Sequence, residues 1–165
     1  MKVIKAKTAG FCFGVKRAVD TVYKQVDTKC GQIYTYGPII HNEEVIKDMR
    51  DKGVIVLRSE EDLDMISQGT VIIRSHGVEK RIYEKIEQKG LRIVDASCPF
   101  VKKIHNIVSE KSGEGFHIII IGNPEHPEVV GIKGWAKDNV TVIQSAEDAE
   151  CFTADRKEKI CIVSQ

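Results

Sequence analysis

With 165 residues, 42% of them hydrophobic and 30% charged, the chain is long enough for one domain or two small ones with a sizeable core. Lysine and arginine number 25 against 24 aspartates and glutamates, a formal charge of +1. That balance excludes the global basic field that nucleic acid attracts, so any anion must be held locally.

The predicted elements run in chain order as follows. Val3 to Ala6 reads as a first strand, and it lacks the apolar region and cleavage site of a secretory signal, so the expected compartment is the cytoplasm. Val15, Ala18, Val19, Val22, Tyr23 and Val26 then follow the i, i+3, i+4, i+7 spacing of one buried helix face. Ile33 to Tyr36 is a β-branched and aromatic run, and Asn42 before Glu43 and Glu44 predicts a helix N-cap with acids in the first turn. Gly53 stops that helix before a strand at Val54 to Leu57. Thr70 to Arg74 is the next strand, Gly90 ends another helix, and Arg92 to Val94 follows. Pro99 suits the first helical position directly after Cys98, and Val101, Ile104, His105 and Val108 make a second apolar stripe. Strands at His117 to Ile121, Val140 to Ile143 and Ile160 to Val163 complete the pattern. The apolar run Ile118 to Ile121 is far short of a membrane span, so no membrane partner is expected.

Strands alternating with crossover helices predict an α/β fold with parallel sheets covered on both faces. The chain divides near residue 95 into a first unit, 1–95, and a second, 96–165, with no Gly/Ser-rich tether between them. Short patterns recur across that division. Cys12-Phe13-Gly14-Val15-Lys16-Arg17 is echoed by Cys98-Pro99-Phe100-Val101-Lys102-Lys103, each where a strand gives way to a helix. A proline-containing turn and a histidine follow each cysteine after about 28 residues. These are Gly37-Pro38-Ile39-Ile40-His41 and Asn123-Pro124-Glu125-His126, with acids close behind. The strand at Val71 to Arg74 leads into Ser75-His76-Gly77, and its counterpart at Cys161 to Ser164 reaches Gln165 where the matching turn should begin. The second unit is therefore expected to be incomplete at its C-terminus.

Five cysteines, an odd number, argue for free thiols, a redox pair or metal ligands over a disulfide framework. An isolated free cysteine is most often a small buried hydrophobe. Cys12 and Cys98, repeated at matched turns beside helix starts, point instead to a metal or cluster site to which each unit contributes a soft ligand. Cys30, Cys151 and Cys161 have no matched partner and take the ordinary reading. His41, His76 and His126 lie at strand ends or helix starts, where parallel α/β units bind ligands, and three such rings converging would suit a diphosphate. Glu128, two residues from His126, could donate a proton if burial raised its pKa. His105, on an apolar stripe, and His117, entering a strand, read as structural. The charged runs Arg58 to Asp64 and Arg156 to Lys159 read as solvated faces.

Gly10-Phe11-Cys12-Phe13-Gly14-Val15-Lys16-Arg17-Ala18, Ser75-His76-Gly77-Val78, Asp95-Ala96-Ser97-Cys98-Pro99 and His126-Pro127-Glu128-Val129, in this order and spacing, resemble the LytB/IspH family of 4-hydroxy-3-methylbut-2-enyl diphosphate reductases. The resemblance implies a pseudo-threefold architecture of three α/β units around a [4Fe-4S] cluster, with Cys12 and Cys98 as two of its ligands. The third unit would be absent from this chain. It implies further that His41, His76 and His126 hold the diphosphate of a small allylic substrate and that Glu128 delivers a proton to its hydroxyl. The implied reaction is a reductive dehydroxylation to isopentenyl and dimethylallyl diphosphates, the last step of the methylerythritol phosphate isoprenoid pathway, with a ferredoxin or flavodoxin as electron donor. Two other readings stay open on the residues alone. One is a non-catalytic diphosphate-binding module; the other is a zinc or thiol-redox protein using Cys12, Cys98 and one further cysteine.

Overall fold

The computed structural model describes residues 1–28, 31–155 and 157–165. Cys30 and Arg156, expected in a turn and at the head of a solvated run, lie outside the described residues. The elements are α1 (Phe13–Thr28), β1 (Ile33–Tyr36), α2 (Glu43–Asp51), β2 (Val54–Leu57), α3 (Glu60–Asp64), β3 (Thr70–Ile73), α4 (Lys80–Gln88), β4 (Arg92–Asp95), α5 (Pro99–Gly113), β5 (His117–Ile121), α6 (Pro127–Lys133), β6 (Val140–Ile143), α7 (Ala146–Cys151) and β7 (Ile160–Ser164).

All pairings among these strands are parallel. One sheet has the order β2-β1-β3-β4, with Ile33 opposite both Val54 and Thr70, and the second has the order β6-β5-β7. The second sheet repeats the arrangement of the first three strands, since in each the earliest strand is central and the next two flank it. Two parallel-sheet α/β units are thus the architecture the alternating pattern predicts.

β3 explains why its sequence reads as a continuous apolar run. Successive side chains point to opposite faces. Ile72 joins the α1 side of the sheet with Ala18, Val22, Ile33 and Met49, while Val71 and Ile73 join Leu63, Ile82 and Ile86 on the other. With both faces covered by helices, no polar side is needed. Each such isoleucine contributes about 1.5–3 kcal/mol by leaving water. In the second sheet Val108 of α5 and Val129 and Ile132 of α6 pack on Ile118 and Ile120. Capping follows the sequence: Asn42 Oδ1 accepts from Val45 N–H at 3.0 Å, and Pro99 opens α5 behind Cys98.

One expected element does not form. Val3 to Ala6 carries no regular structure, and Val3 and Ile4 are 78% and 77% exposed. A strand exists only by pairing, and among the described residues no strand pairs with this run; Ala6 C=O instead accepts from Ala9 N–H at 3.3 Å in a turn. Small end shifts also occur: Arg74 falls just outside β3, whereas Asp95 and Ser164 extend β4 and β7.

Candidate functional site

β1 and β3 are neighbours, so the loops that leave their carboxyl ends run side by side, carrying His41 and His76. Ser75 stitches them together: its backbone N–H and its hydroxyl both donate to Ile39 C=O, at 3.3 and 3.0 Å. The next loop is tied in the same way. Ala96 N–H donates to Ile73 C=O at 3.1 Å and Cys98 N–H to Ser75 C=O at 2.9 Å, which fixes Cys98 to the turn that presents His76. His126 arrives from the carboxyl end of β5 as the N-cap of α6, and its Nδ1 accepts from Glu128 N–H at 3.2 Å. With Nδ1 occupied as an acceptor, the proton of the neutral ring sits on Nε2.

The three histidines converge. Ring centroids lie 4.8 Å apart for His41–His76, 5.6 Å for His76–His126 and 6.3 Å for His41–His126, and one ring nitrogen from each lies within 4.8 Å of the others. Burial pushes the His76 pKa down to about 4, helped by the positive potential of His41, Arg74 and His126, so this ring is neutral near pH 7. Burial raises the Glu128 carboxyl above its ordinary value, with His126 opposing. In the sequence Arg74 stands out only as the end of a strand. It is a half-buried guanidinium whose Nη1 lies 2.6 Å from where a Cβ on Gly37 would stand, and its Nε donates to Gly77 C=O at 3.3 Å. A cation buried beside imidazoles repels a metal ion and attracts an anion. Its place immediately before Ser75-His76-Gly77, at a strand's carboxyl end, was the available signal.

Cys12 and Cys98 each stand directly before a helix. Cys12 C=O accepts from Lys16 N–H at 2.9 Å and Cys98 C=O from Lys102 N–H at 3.0 Å, so each sits at the entry to a long helix. The two helix starts meet: a Cβ on Gly14 would stand 2.6 Å from Cys98 Sγ, closer than real side-chain contacts allow. Glycine at 14 is what lets α1 approach the second thiol. Arg17 reinforces the approach by donating to Ser97 C=O at 2.8 Å and Asp95 C=O at 3.3 Å. Burial alone would raise the Asp95 pKa, but its 2.7 Å ion pair with Lys102 and the bond from Ser97 N–H hold it below the ordinary value. Cys12 is exposed, Cys98 is half-buried, and neither is in a disulfide. Two free soft donors at facing helix starts, with the intervening glycine leaving room, fit ligation of an iron–sulfur cluster. The other described cysteines lie apart from this group. Cys161 packs in the core of the second sheet, and Cys151 lines a separate cleft with His117, Thr141 and Phe152. His117 is bonded at 2.8 Å to both Glu158 and Thr141.

The profile of the family described as "LytB protein" matches residues 3–165. The 4-hydroxy-3-methylbut-2-enyl diphosphate reductase of Caldanaerobacter subterraneus subsp. tengcongensis is 46% identical over 100% of this chain and 57% of its own length. That of Thermoanaerobacter sp. strain X514 is 48% identical with the same coverage. Among solved structures, the E-1-hydroxy-2-methyl-but-2-enyl-4-diphosphate reductase of Plasmodium falciparum superposes with a TM-score of 0.89 at 31% identity, over 96% of this chain and 49% of that one. The chain thus spans about half the length of the relatives it matches. By the profile match over nearly its whole length, the chain belongs to the LytB family.

Proposed function

We propose that this chain supplies the diphosphate grip, the proton donor and two cluster ligands of a 4-hydroxy-3-methylbut-2-enyl diphosphate reductase. The observation that carries the reading is the convergence of His41, His76 and His126, with Glu128 in the same helical turn as His126 and Cys98 stitched to the loop of His76. The units 1–95 and 96–165 are then successive repeats of a three-unit architecture, and a cytoplasmic ferredoxin or flavodoxin is the electron donor. Among the described residues no helix is long and apolar enough to cross a membrane.

The geometry supports these roles. A diphosphate's oxygens span several ångströms, matching three rings that face one another, and each ring can offer an N–H to a phosphate oxygen. His76, neutral in the free site, gains a proton when an anion arrives, so the charge is recruited on binding. Glu128, whose carboxyl burial raises above its ordinary value, is the acid that turns the substrate hydroxyl into departing water. The balance is an allylic alcohol plus two electrons and two protons giving the alkene and water. Cys12 and Cys98 would hold the [4Fe-4S] cluster, which when bound supplies the electrons and Lewis acidity. The zinc or thiol-redox reading needs a further thiol beside Cys12 and Cys98, and among the described residues Cys151 and Cys161 lie apart from that pair.

An anaerobic assay of the whole protein with a reduced viologen as donor tests the proposal. Glu128→Gln should keep the brown colour and the affinity for inorganic pyrophosphate while turnover falls by about 10²–10⁴. Turnover at the unsubstituted rate in Glu128→Gln would remove Glu128 as the acid.

A further inference from the structure

His105 belongs to none of the groups above, yet it is the most enclosed of the five histidines. It is 2% exposed, and its Nε2 is buried without a hydrogen-bond partner. One face of its ring stacks on Trp135, centroids 5.1 Å apart and 19° from coplanar. Its edge meets the turn that presents His76: a Cβ on Gly77 would stand 2.5 Å from His105 Cε1 and 3.3 Å from Nε2. Gly77 has φ +69°, so a side chain there would be strained by the backbone as well as blocked by the ring. On the remaining side is α6. The spot a Cβ on Gly131 would fill lies 3.6 Å from His76 C=O oxygen, 3.7 Å from the Gly77 carbonyl carbon and 3.7 Å from His105 Nε2.

The ring therefore lies between the turn of His76 in the first unit and the helix that begins with His126 and Glu128 in the second. Trp135 extends the same wedge, donating from Nε1 to Val78 C=O at 2.9 Å across the two units. Lys80 N–H donates to Gly134 C=O beside it at 3.4 Å. A flat, rigid side chain in such a seat sets how far one group stands from the other. Cores are close-packed, so removing it lets the turn settle inward.

We propose that His105 is a positioning residue: its ring, braced on Trp135, sets the separation between His76 and the His126–Glu128 turn, and so the span of the diphosphate grip. This rests on the reading of the three histidines as that grip. The ring's flat thickness does the work, and its unpartnered Nε2 is not required. Phenylalanine should serve in its place; a shorter or branched side chain should not.

The test uses the whole protein and inorganic pyrophosphate, measured by calorimetry, with steady-state kinetics alongside. His105→Ala should weaken pyrophosphate binding on the order of tenfold or more, as sub-ångström to ångström misplacements do. KM should rise more than kcat falls, and the cluster absorption should be unchanged. His105→Leu, which keeps a buried apolar side chain and so preserves folding, should show the same loss. His105→Phe should bind within about twofold of the unsubstituted protein and melt no lower, because it removes a buried unpartnered nitrogen. Folded Ala or Leu variants that bind pyrophosphate within twofold of the original would overturn the proposal, as would a Phe variant as weak as Ala. Failure of the unsubstituted protein to bind pyrophosphate at all would instead overturn the diphosphate grip, and this inference with it.

Discussion

His76 offers a quantitative prediction because its free and bound states differ in charge. With a pKa of about 4, only about 1% of the ring is protonated at pH 6. A single phosphate charge about 4 Å away, at an effective dielectric constant of about 20, is worth about 4 kcal/mol, or about three pKa units. That is enough to return His76 to its ordinary 6.5 or above, at which roughly three quarters or more of the rings are protonated at pH 6. The assay is a pH titration of the His76 Cε1–H resonance in carbon-13-labelled protein, assigned by its loss in His76→Asn. Without ligand the resonance should stay flat from pH 7 to 5.5 and move only near pH 4. With saturating pyrophosphate the midpoint should lie above pH 6. A free-protein midpoint near 6.5, or one that pyrophosphate leaves in place, would refute the account of how the grip acquires its charge.

Gly14→Ala is expected to remove most of the brown colour and iron from the whole protein, because the new methyl occupies space 2.6 Å from Cys98 Sγ, whereas Gly113→Ala, whose methyl meets nothing within 4 Å, should leave both intact. Acid should destabilise the fold through His105 as well as His76: burial puts both near pKa 4, so between about pH 6.5 and 4 the unfolded chain binds protons that the folded chain does not, and stability is lost as pH falls. For His105 the loss approaches about 3 kcal/mol at pH 4, and urea melts of His105→Phe against the original protein should show a stability difference that grows in favour of Phe below pH 6. Arg17→Ala should lower the urea midpoint and loosen Cys98, since it removes the bonds to Ser97 and Asp95 carbonyls, at a cost of about 1–3 kcal/mol.

Much of this architecture is legible in the chain because the informative signals are local. β-branched runs mark β1, β2, β5 and β6 to the residue, and Asn42, Gly53, Gly90 and Pro99 mark helix ends through their own backbone chemistry. The repeat of cysteine and histidine at matched turns singles out residues that the sheets then gather. What stays hidden depends on partners distant in sequence. Val3 to Ala6 has strand composition, but whether it pairs is decided by what lies beside it. His105 reads as a core histidine, and only the fold places its ring edge against Gly77. Gly14 and Arg74 stand in plain motifs, yet the contacts that single them out, of Gly14 with Cys98 and of Arg74 with Gly37, span dozens of residues.

Cys12 and Cys98 are proposed to ligate one iron–sulfur cluster beside a diphosphate grip. Iron and sulfide content, together with visible absorption, measured on the anaerobically purified whole protein and its cysteine variants, tests it most directly. The protein should be brown with about four irons per chain, lose the native cluster in Cys12→Ser and in Cys98→Ser, and be unchanged in Cys151→Ser and Cys161→Ser. A colourless protein carrying stoichiometric zinc, or a full cluster retained in Cys98→Ser, would contradict it.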